Sequence, residues 1–211
     1  MNNRFLNHYR YRLLLVSVVF VLIVLSIPSP PQWLELGTLL FMVLAGLNTV
    51  RSRSRWFYLV CLMGTVSLFT SVVPGAWHLQ PFLARGVPQM LFILLLAAST
   101  FHSVTQQRPV TGELLYGLCA LYLNFVLSFA ISYSLIAHLL PNSFQTSNGP
   151  LDLASFVYFS MVTLTTIGYG DIVPVHPLAR LLAGSEAIMG ALFIALAVAR
   201  GLNMLNDTRS D

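Results

Sequence analysis

Apolar positions along the chain gather into six long runs, at residues 12–27, 33–50, 56–73, 87–104, 114–140 and 178–205, separated by short polar stretches. Each run is close to the ~20 residues that a membrane-spanning helix needs. Strict apolar–polar alternation, the mark of a barrel strand, is absent, and in lipid every backbone N–H and C=O must be satisfied within its own segment. The pattern predicts an all-α integral membrane fold with six transmembrane helices. A further apolar stretch, residues 151–164, is shorter. Its ~14 residues reach ~21 Å, against ~30 Å of hydrocarbon, so it is expected to enter the membrane and stop, as a re-entrant helix. Non-helical backbone following it at membrane depth is tolerable only where it is buried in protein or faces a watery cavity. A polar stretch at 106–109 separates a four-helix transmembrane domain, residues 1–107, from a second domain, residues 108–211. The second domain reads as a long helix, a polar turn at 141–150, the short segment, a glycine-bearing strip and a final helix.

Composition strengthens the membrane reading, with 56% hydrophobic and 9% charged residues and a mean hydropathy of +0.77. A net charge of +4 would suit nucleic acid, but the positions of the arginines argue for a bilayer instead. With six crossings, Arg4, Arg10, Arg12, Arg51, Arg53, Arg55, Arg108, Arg200 and Arg209 all fall on one side, while Arg85 and Arg180 are the exceptions. The positive-inside rule makes that side the cytoplasm, which predicts a multi-pass protein of the plasma (inner) membrane with both termini cytoplasmic. Trp33, Trp56 and Trp77 lie at helix ends, as an interfacial aromatic belt requires. The first run, with arginines before it and Ser26 and Pro28 after it, also fits a cleaved signal peptide; mass spectrometry of the N-terminus separates the two readings. Cys61 and Cys119 have neither metal-ligand nor disulfide spacing and are read as packing residues. His78, His102 and His138 stand singly, so no metal is assigned.

The strip after the short segment runs Thr163, Leu164, Thr165, Thr166, Ile167, Gly168, Tyr169, Gly170, Asp171. An ion crossing a bilayer has to exchange its hydration shell for oxygens at little net cost, which needs carbonyls aimed at one axis. Successive carbonyls turn the same way when the backbone alternates in handedness, and Gly168 and Gly170 accept positive φ without a Cβ penalty. The run resembles the signature of the potassium channel family, most specifically over 158–174 and more loosely over 114–205. The resemblance implies that Thr166, Ile167, Gly168, Tyr169 and Gly170 form the ion-binding filter. Carbonyls of Thr166, Ile167, Gly168 and Tyr169 would hold K+, and the Thr166 hydroxyl would complete the innermost site. Since one chain carries one such strip, it also implies a homotetramer. Ile167 replaces the commoner valine and leaves the carbonyl in place.

The resemblance extends to the surroundings of the strip. Tyr158 is expected to hydrogen-bond Asp171 and tie the strip outward, which Phe159 is unable to do; as interfacial aromatic, Tyr158 has a plain alternative role. Thr165 and Glu186 complete the filter support. Gly190, nineteen residues after Asp171, falls where the family carries a hinge glycine, with packing through small residues as the alternative. Ala191, Ile194 and Val198 share a helix face and are expected to line the inner cavity and gate. Glu186 is offset from Ala191 by ~140°, which turns it toward the short helix and predicts a hydrogen bond behind the filter, either as a structural strut or as a gating or pH-sensing acid.

Four helices before such a module resemble voltage-gated channels, whose sensor repeats arginine at every third position. Residues 87–104 contain no arginine or lysine, so the four-helix domain is read as non-voltage-sensing, and Arg51, Arg53 and Arg55 as a lipid-headgroup anchor. With about six residues after the last helix, no soluble ligand-binding domain is expected. The whole reads as a potassium-selective channel conducting K+ passively, with K+ as permeant ligand, no cofactor and the lipid bilayer as partner. A non-selective cation channel is the alternative, and a secondary transporter with one broken helix a more distant one. No acid–base pair or partnered nucleophile points to an enzyme.

Overall fold

A computed structural model of the chain describes residues 10–27, 30–50, 54–72, 81–106, 112–147 and 149–207. Among these the elements run α1 (Arg10–Leu25), α2 (Gln32–Val50), α3 (Ser54–Val72), α4 (Pro81–Gln106), α5 (Gly112–Leu139), β1 (Phe144–Thr146), α6 (Leu153–Leu164), β2 (Ile172–Pro174) and α7 (Pro177–Asp207). Arg4, Arg51, Arg53, Trp77, His78, Arg108, Arg209 and most of the linker at 106–109 lie outside the described residues. Among the described residues five helices are long and apolar enough to cross a membrane: α2, α3, α4, α5 and α7. The remaining expected crossing, α1, has 16 residues, or ~24 Å at 1.5 Å each.

The described chain forms two compact units, Met1–Phe125 with Asn203–Asp211, and Val126–Leu202. In the first, consecutive helices α1 and α2, α2 and α3, and α3 and α4 pack on one another. Glycine permits the closest approaches. A Cβ on Gly46 would come 2.8 Å from the Leu96 side chain, and one on Gly64 would come 2.9 Å from Val43. Arg12 of α1 pairs with Glu113 in the first turn of α5, and its guanidinium lies 4.7 Å above the Tyr116 ring. α4 begins earlier than the apolar run does, because Pro81 suits a first helical position, where its missing N–H costs nothing. Arg85 therefore lies within this helix, not before it. Cys61 is half-buried, but Cys119 is exposed. The packing role expected for Cys119 is corrected accordingly, since its helix face points out of the unit.

The second unit is built around an aromatic cluster. Tyr133 of α5 is fully buried and meets Phe159 at 5.0 Å and Phe144 at 5.6 Å between ring centroids, both edge-on. Phe144 in turn meets Phe156 at 5.0 Å. Phe144 is held there by an antiparallel ribbon in which it pairs with Pro174, Gln145 with Val173 and Thr146 with Ile172. The sequence reading has only a polar turn at 141–150. Three-residue strands are too short to show a period of two, and Phe144 alone marks the inward face. α7 buries Ala179, Ala183, Glu186 and Gly190, a stripe spaced four, three and four residues apart on one helix face. Its other faces leave Leu181, Ile188, Leu192 and Leu196 each at least 60% exposed.

Candidate functional site

α6 aims the glycine-bearing strip. It starts with a reciprocal cap: Asp152 Oδ1 accepts from the backbone N–H of Ser155 at 2.8 Å and from its hydroxyl at 2.7 Å. These bonds stabilise the charged form, first through the hydroxyl and then through the backbone, and hold the Asp152 carboxyl below its ordinary value. The helix has 12 residues, or ~18 Å, too short to cross ~30 Å of hydrocarbon. It ends in a paired stop. Thr166 N–H donates to Thr163 O at 3.0 Å, and Ile167 N–H donates to Val162 O at 3.0 Å. This is the bond pattern of a Schellman motif, which needs a left-handed residue after the cap and usually takes glycine there. Here the position is Thr166, with φ +59°. A β-branched residue in that region costs ~1–2 kcal/mol.

Left-handed backbone then recurs at every second residue: Thr166 at +59°, Gly168 at +62° and Gly170 at +79°, while Ile167 and Tyr169 between them do not adopt positive φ. A Cβ on Gly168 or Gly170 would meet nothing within 4 Å. Glycine is required at these two positions by conformation, not by crowding. Residues 165–170 are all exposed in the single chain, with Ile167 at 55% and Tyr169 at 68%.

The outer end of the strip is fixed by the ribbon, where Ser147 N–H donates to Asp171 O at 3.2 Å and Val175 N–H donates to Ser143 O at 2.9 Å. The Tyr158 and Tyr169 rings stack in parallel, 2° apart with centroids at 6.5 Å. A cavity of about 320 Å³ lies beside them, lined by Thr146, Ala154, Ser155, Tyr158, Asp171 and Ile172. Tyr158 and Asp171 thus lie on the wall of one cavity. The Thr165 hydroxyl turns back onto its own helix, donating to Met161 O at 2.6 Å. Phe159 is buried in the aromatic cluster, against Tyr133 and Phe144.

Glu186 is fully buried and touches α6. Its Oε1 is 2.5 Å from Ser160 Oγ and its Oε2 is 2.5 Å from the Tyr133 hydroxyl. Ser160 Oγ also lies 3.0 Å from Val126 O. Gly190, one turn further along α7, abuts the end of α6 so closely that a Cβ would fall 2.0 Å from Leu164 O. Ala191, Ile194 and Val198 are exposed on another face of the helix. Among the described residues no group of three or more His, Cys, Asp and Glu side chains is placed to hold a metal.

Sequence reasoning missed Tyr133, Ser160 and the Asp152–Ser155 cap. The cap had a signal, an acid followed three residues later by a hydroxyl ahead of an apolar run. Tyr133 and Ser160 had none, because each sits in an apolar run as one of several similar residues.

Residues 120–207 match a family described as ion channel. Over 56 residues the chain is 46% identical to two pore potassium channel c of Oryza sativa subsp. japonica, covering 26% of this chain and 12% of that protein. It is 34% identical over 94 residues to the inward rectifier potassium channel Kirbac3.1 of Paramagnetospirillum magnetotacticum, covering 44% and 29%. It is 41% identical over 58 residues to potassium voltage-gated channel protein shk-1 of Caenorhabditis elegans, covering 28% and 10%. The chain thus spans less than a third of the length of each of these relatives. No solved structure matches the chain. The stop-and-strip geometry with alternating backbone handedness lies within residues 120–207, the part of the chain that matches the ion channel family.

Proposed function

We propose that four copies of this chain surround one pore through which K+ passes passively and in preference to Na+. The observation that carries the reading is the alternation of left-handed φ at Thr166, Gly168 and Gly170. It turns successive carbonyls of Thr166, Ile167, Gly168 and Tyr169 toward one side, where oxygens from several strips replace the water around a dehydrated cation. Gly170 ends this run, and Asp171 and Tyr158 brace it from outside. The C-terminal end of α6, which carries a partial negative charge, leads straight into the strip and favours a cation near it. One strip alone leaves its ion half-surrounded, so the exposure of 165–170 and the apolar faces of α7 are read as surfaces that meet other copies.

In this arrangement α5, α6, the strip and α7 form the pore domain, within residues 108–211, and α6 is re-entrant. The helices of residues 1–107 make a non-voltage-sensing domain, with α1 as the sixth crossing and both termini cytoplasmic in the plasma membrane. Ala191, Ile194 and Val198 line the inner cavity, and Gly190 and its neighbours form the gate region. The reading is tested by reconstituting the purified chain in planar bilayers with potassium on one side and sodium on the other. A reversal potential near the potassium equilibrium value is expected. A reversal potential near zero would instead establish a non-selective cation channel. Cross-linking in the same vesicles should stop at four subunits.

A further inference from the structure

We propose that Glu186 is a positioning residue that works as a neutral carboxylic acid, its proton completing a relay that clamps α6 between α5 and α7. The inference rests on the channel reading above for its consequence and on a count of hydrogens for its substance. Five oxygens form a chain of three contacts: Tyr133 hydroxyl to Glu186 Oε2 at 2.5 Å, Glu186 Oε1 to Ser160 Oγ at 2.5 Å, and Ser160 Oγ to Val126 O at 3.0 Å. Each contact needs one hydrogen. Tyr133 and Ser160 bring one each, and the Val126 carbonyl brings none. With Glu186 ionised, the Ser160 hydrogen serves either Glu186 or Val126, and one oxygen pair is left facing without a proton. With Glu186 protonated, Tyr133 donates to Oε2, Oε1–H donates to Ser160 Oγ, and Ser160 donates to Val126 O. All three contacts are then made.

Burial argues in the same direction. Glu186, Ser160 and Tyr133 are each 0% exposed, and an ionised carboxylate in such a place needs a cation or several donors. α5 faces Glu186 with Tyr133 and α6 with the uncharged Ser160. On α7 itself the nearest ionisable residue, Arg180, lies six residues earlier and is exposed. No cation pairs with Glu186 among the described residues. The relay joins three helices, and its middle member sits on the helix whose last carbonyls launch the strip. The Gly190–Leu164 contact, one turn along the same stripe, leaves α6 no room to shift toward α7. Loss of the proton should therefore loosen the aim of the strip before it disturbs assembly.

The test uses the full chain in liposomes. Infrared difference spectra across a pH titration are expected to show a protonated-carboxyl stretching band in the wild type that is missing from Glu186→Gln. The amide oxygen accepts from Tyr133 and one of its two N–H groups donates to Ser160, so Glu186→Gln should retain potassium selectivity and lose the alkaline fall in selectivity that the wild type shows as the band disappears. Glu186→Ala and Ser160→Ala should lower the potassium-to-sodium permeability ratio roughly tenfold, the worth of about one buried hydrogen bond. Absence of the band from the wild type at neutral pH, or a Glu186→Gln channel as unselective as Glu186→Ala, overturns the proposal. Should Glu186→Ala fail to assemble, the isosteric glutamine still decides. A wild type that carries no potassium refutes the channel reading alone, because the infrared band reports the proton whether or not current flows.

Discussion

Thr166 occupies a backbone position where glycine would be more comfortable, and the cost is borne by an exposed residue. Such strain persists where the side chain is used. Thr166→Ser keeps the hydroxyl, removes the β-branch and is expected to conduct with unchanged selectivity and slightly higher thermal stability. Thr166→Ala also relieves crowding but removes the oxygen, and should weaken potassium selectivity; bi-ionic reversal potentials compare the two. Asp152 offers a second test at this scale. Its carboxyl is depressed by Ser155, so the cap contributes fully above the unfolded value near ~3.9 and is lost as pH falls through the lower folded value. Asp152→Ala should cost about 1 kcal/mol at neutral pH. The gap from wild type in thermal unfolding should close in acid.

Among the elements, α7 shows how one glycine differs from another. Gly190 lies against a backbone carbonyl, whereas a Cβ on Gly184 or Gly201 would meet nothing within 4 Å. Gly190→Ala is expected to push α6 and α7 apart at a cost of ~1–3 kcal/mol. Gly184→Ala should gain up to ~1 kcal/mol from helix propensity. Melting temperatures of the detergent-solubilised variants measure the difference. The hinge expectation for Gly190 came from its distance after Asp171, and that distance carries no information about Leu164. Long apolar runs were legible because their physics is one-dimensional: α2, α5 and α7 lie within a few residues of where hydropathy puts them. The short α6 and the glycines at positive φ were legible for similar reasons, a length and a missing Cβ. What pairs across space was not: the ribbon of Phe144–Thr146 with Ile172–Pro174 and the meeting of Tyr133 with Glu186 depend on partners 26 to 30 and 53 residues apart.

For the molecule as a whole, α4 contains Arg85 near its start and no further arginine or lysine. Current–voltage relations should accordingly lack steep gating, and any curvature should follow blocking ions. The first unit holds the opening turn of α5 through Arg12 and Glu113, whose carboxylate is largely buried and whose partner is more exposed. Arg12→Leu strands that carboxylate and should destabilise the protein by about 3 kcal/mol or more. Removing both charges together should cost much less, as buried pairs usually behave; a double-mutant cycle on thermal unfolding checks this. The strip itself is anchored at both ends, by the Val162 and Thr163 carbonyls on one side and by the Ser147–Asp171 bond on the other. It resembles a bridge deck cut to the gap between two abutments. Adding or deleting a single residue between Thr166 and Gly170 would leave the deck a full rung too long or too short, and one of the two abutments would have to let go.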